Sequence, residues 1–252
     1  MPAPDGRPAP TGMFTVTPTT VTVPAGGEAK VAVTADTRVG AVDGAFSGAV
    51  VAGDVLRTPV SVDREVESYD LTATFLDAEG EVPSVYRGVL MGVDNDTFLF
   101  LEDDGNTVTR RLPKGEYMVH ATVITGDEAD GRVAILPRPS LSVTGTTSVT
   151  FDARTAEPVR ITPPDDTAVP MIADVNITRF SGGHRVGFSV AFFEGLPEHL
   201  TLAQTGPALP DDELSVFIGS QYEVKPVDDA RVSYRFAWAE QGRVPTGFVR
   251  AP

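Results

Sequence analysis

The stretch FTVTPTTVTVPAGGEAKVAVTADT, from Phe14 to Thr37, decides the fold. In TVTV at 20–23 β-branched residues run in sequence, PAGG at 24–27 supplies a turn, and AKVAVTAD alternates again with Val31, Val33 and Ala35 on one face. That pattern predicts a β-hairpin. A second hairpin follows in GAFSGAVVAG (44–53) and VLRTPVSVDREV (55–66), joined through the turn-favouring pair Gly53-Asp54. Roughly four strands make only half of a seven-stranded sandwich. The other half is expected to precede Met1 or to come from another element.

Composition agrees with an all-β chain. At 252 residues there is room for two or three small β-domains, and 24 Gly with 21 Pro suit a protein rich in turns. A formal charge of −15 would repel a phosphate backbone, and no Lys/Arg cluster reverses that field, so nucleic acid is not an expected partner. The chain has no cysteine, which removes disulfides, thiolate metal sites and a Cys nucleophile. No apolar run approaches the ~20 residues of a membrane span. The start MPAPDGRPAPTGM has no apolar signal core, so any export signal is expected outside this sequence.

Outward from the first hairpins the chain reads as an irregular leader (1–12), a partial sandwich (13–65), a compact sandwich (66–156) and a third β-rich domain (157–252) that looks incomplete. In the second segment Tyr69, Leu71, Ala73 and Phe75 share a face, DAEG (77–80) ends that strand, and LPKG (112–115) turns into a strand whose core face is Tyr117, Val119, Ala121 and Val123. The Pro-rich PVRITPPDDTAVP (158–170) reads as a domain join. Beyond it Val186, Phe188, Val190 and Phe192 share one face, as do Val232, Tyr234, Phe236 and Trp238, all at core spacing.

Hydrolytic chemistry needs a nucleophile, a base and an orienting acid in one pocket. Of the three histidines, His120 falls on the face opposite the Tyr117 stripe and reads as partly exposed, while His184 and His199 fall in a turn and a loop. No G-x-S-x-G occurs, so the chain is expected not to be an enzyme. The acidic stretch DNDTFLFLEDDGN (94–106) offers Asp94, Asp96, Asp103 and Asp104, with Glu102, as hard oxygen ligands for calcium. As an EF-hand it fails, with Leu99 where the loop needs Gly and Gly105 where it needs Glu. The alternative is a pair of polar turns at opposite ends of a TFLFL strand. GDEADG (126–131) likewise reads as a solvated turn. No other cofactor is expected.

The first segment, with Pro24, Gly26 and Gly27 in its turn and Arg57, Thr58 and Pro59 in its closing strand, resembles the region after the catalytic domain in secreted subtilisin-like serine peptidases of actinobacteria. There the segment is a fibronectin-III-like (Ig-like) sandwich. RLPKGEY (111–117) and VAILPRPSLSVTG (133–145) are similar to the transthyretin-like or carboxypeptidase-regulatory-like sandwich that follows it. The resemblance covers roughly 12–165 and contains none of the family's catalytic motifs, so no catalytic residue is carried over. It implies tandem β-sandwich domains serving as a non-catalytic accessory region. Such a region, located outside the cell, would stabilise or position the parent protease domain and its protein substrates. The alternative is a free-standing extracellular module that binds a glycan or a cell-surface protein.

Overall fold

The computed structural model describes residues 9–40, 42–126, 131–227 and 230–251. Most of the leader (1–8) and most of GDEADG (127–130) lie outside the described residues. The chain divides into two compact units, Met1–Ser68 and Tyr69–Pro252.

In the first unit β1 (Phe14–Thr17) pairs antiparallel with β2 (Ala32–Ala35), Phe14 opposite Ala35. The PAGG turn forms as expected: Gly27 N–H donates to the Pro24 carbonyl at 2.9 Å and Gly26 takes φ 71°. TVTV at 20–23 is not a strand, however, and the partner of 32–35 is the earlier stretch 14–17. Exposure does not separate the two stretches, since Val33 in β2 is 43% exposed and Val21 41%; what 14–17 has and 20–23 lacks is the pairing with 32–35. The second expected hairpin is present as β3 (Gly44–Ala52) and β4 (Leu56–Arg64), turning at Gly53 with φ 57°. Phe14 lies over Gly48, where a Cβ would stand 3.3 Å from its ring.

Among the described residues of this unit, only Met13 and Phe46 are buried hydrophobics. Two such side chains contribute roughly 1.5–3 kcal/mol each, little against the entropy of ordering the segment. Native-state hydrogen exchange is therefore expected to show the β1–β4 amides opening at lower denaturant than the core of the second unit. Equal protection in both would contradict this.

The second unit begins with β5 (Ser68–Leu76), β6 (Val85–Gly92), β7 (Phe98–Leu101), β8 (Thr107–Pro113) and β9 (Gly115–Thr125). It continues through β10 (Arg132–Ile135), β11 (Arg138–Val143), β12 (Thr147–Asp152), a 3-10 turn and β13 (Glu157–Ile161). The last elements are β14 (Val169–Ser181), β15 (His184–Phe193), β16 (Leu200–Leu202), β17 (Leu214–Val227), β18 (Ala230–Gln241) and β19 (Phe248–Arg250). They form three layers. A three-stranded sheet, β12-β5-β8, lies on one side of a central sheet ordered β19-β13-β16-β10-β9-β6-β7, with β11 also on β9, and a four-stranded sheet, β15-β14-β17-β18, lies on the other. The chain is thus all-β, built as tandem sandwiches. The Pro-rich stretch 158–170 lies inside this unit, because β13, β16 and β19 extend the central sheet across it.

The first core joins Leu71, Ala73 and Phe75 to Tyr117, Val119, Ala121 and Val123, the faces read from the sequence. The second joins Met91, Met118 and Ile135 of the central sheet to Val175, Ile177, Val216 and Ile218. At the corner between β8 and β9 the Tyr117 hydroxyl donates to the Pro113 carbonyl at 2.6 Å, the backward bond with which sandwich proteins pin a crossing between sheets.

Because β9 is covered on both faces, His120 is buried, not partly exposed as its position opposite the Tyr117 stripe suggests. Its ring lies 3.8 Å from that of Phe188, and its Nε2 meets Thr122 Oγ1 at 3.1 Å. Burial pushes its pKa down to about 4 from 6.5. The folded value lies below the unfolded one, so the stabilisation is complete above pH 6.5 and is lost as the pH falls through 4. A shift of that size corresponds to about 3 kcal/mol. Urea midpoints measured from pH 7 to pH 4 should fall for the wild type and fall much less for His120→Leu; parallel slopes would remove His120 as the cause.

Candidate binding edge

The four candidate aspartates flank β7. Asp94 and Asp96 lie in the turn before it, and Asp103 and Asp104 in the turn after it. The four residues of β7 alone span about 13 Å at ~3.3 Å each, so the structure does not bring the two pairs together. Among the described residues no group of three or more His, Cys, Asp or Glu is placed to hold a metal ion.

Both turns are held by neighbouring strands. Asp94 Oδ1 accepts from the backbone N–H of Glu116 at 3.1 Å and from Asn95 Nδ2 at 2.9 Å, and Asn95 Oδ1 accepts from Thr97 N–H. Gly115 makes the approach possible, since a Cβ there would come 2.8 Å from Asp94 Oδ1. In the second turn the Asp103 N–H donates to the Tyr86 hydroxyl at 3.0 Å, and Arg110 donates to the Glu102 carbonyl at 2.8 Å. Tyr86 stacks on Phe75 of the first core at 4.1 Å, and burial raises its pKa. A groove of about 350 Å³ runs beside this turn between residues 82–87 and 102–105.

Between the turns β7 forms one end of the central sheet and, among the described residues, pairs only with β6, Gly88 opposite Leu101 and Met91 opposite Phe98. Leu101 is buried in the first core. Phe98 and Phe100 point the other way, each 58% exposed, their rings edge-to-face at 5.5 Å. Across the ladder they share a face with Met91 and Val89, which belong to the second core. Two adjacent phenylalanines on an uncovered edge are unusual, because natural sheets blunt their edges with charge, proline or a cover. Gly88 seats β7 closely: a Cβ there would come 2.7 Å from Leu101 Cβ and 3.2 Å from Phe75.

Sequence reading takes TFLFL as a strand and attends to its acids, so it passes over Phe98 and Phe100. The available signal is the alternation of Phe98 and Phe100 with Leu99 and Leu101, which requires one pair to face away from the first core. The aromatics it does assign to a core, Phe192, Tyr234, Phe236 and Trp238, are half-buried against the second core. The three histidines stand in separate elements: His120 in β9, His184 opening β15 and His199 just before β16.

No family model matches the chain, and no curated protein matches it. Among solved structures, a candidate adhesin from Bacteroides ovatus aligns over 75% of this chain and 90% of its own, at 10% identity and a TM-score of 0.25. A streptococcal ancillary pilin aligns over 88% of this chain and 76% of its own, at 11% identity and a TM-score of 0.24. Both likenesses are too loose to define a shared architecture. Among the described residues no helix is long and apolar enough to cross a membrane.

The hydrogen bonds separate the carboxylates by task. Asp94→Ala should lower stability by about 1 kcal/mol, because the Glu116 N–H loses its acceptor, whereas Asp104→Ala should change it by less than about 0.5 kcal/mol. Chemical unfolding of the two variants checks this; an equal loss in both would mean that the second turn also supports the fold.

Proposed function

We propose that the chain is a non-catalytic binding module working outside the cell, with β7 and its two acidic turns as the contact surface. The observation that carries this reading is the exposed pair Phe98 and Phe100 on an uncovered sheet edge. Aromatic side chains with few rotatable bonds are efficient interface anchors, and the turns beside them are already held in place, which lowers the ordering cost of binding. The non-catalytic part is supported by the histidines: His120 is buried, its pKa is lowered, and it meets a threonine hydroxyl in place of an orienting carboxylate.

A second reading rests on the first unit. Val21, Val23, Val31 and Val33 are each at least 40% exposed there, while among the described residues of the unit only Met13 and Phe46 are buried hydrophobics. An accessory region of a secreted subtilisin-like peptidase would cover such a face with the parent protease domain, and substrate positioning would follow from that docking.

Retention of the full chain on washed bacterial cell walls or on immobilised surface protein tests the first reading. The double variant Phe98→Ser with Phe100→Ser should lose about tenfold in retention with an unchanged unfolding midpoint. Equal retention of the two proteins, or none of either, would remove β7 as the contact surface. Under the second reading, a subtilisin-like protease domain added in trans should slow hydrogen exchange in residues 20–35.

A further inference from the structure

The backbone of β7 specifies what kind of partner its edge can take. Gly92 N–H donates to the Thr97 carbonyl at 2.7 Å, and these two residues continue the β6–β7 register by one pair. In an antiparallel ladder hydrogen-bonded and non-hydrogen-bonded pairs alternate. Leu99 and Leu101 therefore turn their backbone groups to β6, and Phe98 and Phe100 turn theirs to the open side. The two residues with exposed rings are also the two with outward N–H and C=O groups. An added strand would find backbone partners and an apolar surface at the same positions.

Charge narrows the choice of occupant. Residues 94–104 contain five carboxylates, Asp94, Asp96, Glu102, Asp103 and Asp104, and no Lys or Arg; Arg110, beside the second turn, ion-pairs with Asp103 at 4.0 Å and leaves the balance of the edge acidic. All five residues are exposed. A second copy pairing antiparallel through β7 would bring the 94–96 turn of each copy against the 102–104 turn of the other and oppose like charges at both ends. A cationic strand meets attraction at both ends instead. Asp96 and Asp103 are seven residues apart, roughly 23 Å along an extended chain.

We propose that the β7 edge binds an extended, cationic segment of a partner protein as an added strand. Alternate aliphatic side chains of that segment pack on Phe98 and Phe100, and Lys or Arg residues at its two ends meet the acidic turns. This rests on the binding-module reading and names the partner class for the same surface.

The probe is a fluorescent peptide with a core of alternating valine and threonine and paired lysines at each end, titrated with the full chain. Binding should weaken steeply with salt. It should also weaken about tenfold or more in the Phe98→Ser, Phe100→Ser variant, and to a similar degree when the peptide's amides along one edge are N-methylated. A version with glutamates in place of the lysines should not bind. Absence of binding overturns the proposal, as does binding that ignores both the phenylalanines and the N-methylation, which would be attraction by charge alone. If the peptide fails while cell-wall retention still depends on Phe98 and Phe100, the partner class is wrong and the binding-module reading stands; if retention is also insensitive, both fall.

Discussion

The second unit depends on one constraint, the burial of β9 on both faces. A strand in a two-layer sandwich needs apolar residues only at alternate positions, but β9 closes the first core with Tyr117, Val119, Ala121 and Val123 and contributes Met118 and His120 to the opposite face. The central sheet is therefore a shared wall. Apolar packing on one of its sides has to be compatible with packing on the other, since close-packed interiors transmit small displacements. Its long reach, from β19 to β7, also lets one sheet carry parts of two sandwiches.

A central sheet with layers on both sides has most of its surface covered, so its ends become the places where it meets solvent. At the β7 end the four-stranded layer does not cover Phe98 and Phe100, although their ladder neighbours Met91 and Val89 belong to the core beneath that layer. The exposed rings continue a buried apolar surface. Under the proposed binding role, the acidic turns on either side make that continuation selective: their charge favours some partners and opposes others, the usual way an interface gains specificity.

Much of the strand content was legible because the core-facing residues of β5, β15 and β18 alternate, buried in Leu71, Ala73 and Phe75 and half-buried in Val186, Phe188 and Val190 or Tyr234, Phe236 and Trp238. Two-sided burial was harder to read. YMVHATVI (117–124) is nearly continuous in apolar residues, which signals a strand covered on both sides, yet reading only its Tyr117 stripe leaves His120 partly exposed. The membership of β13, β16 and β19 in the central sheet was not legible, because three to five residues hold too little pattern and their pairings join positions far apart in the chain. TVTV at 20–23 failed for a different reason: its propensity for strand is high, but the stretch that pairs with 32–35 is 14–17. At the candidate edge the acids were legible from composition, whereas the orientation of Phe98 and Phe100 required knowing which side of β7 was already occupied.

Gly88 gives this arrangement a property of its own. The glycine lies opposite Leu101, on the side of the central sheet away from Phe98 and Phe100, and the absence of its side chain lets β7 sit close against β6. The height of the outer strand, and with it the tilt of two rings on the other side, is set by a position inside the molecule. The proposed contact surface is in that sense tunable from behind: variation at Gly88, or at Phe75 beneath it, changes how the edge presents itself without altering any exposed atom of the edge.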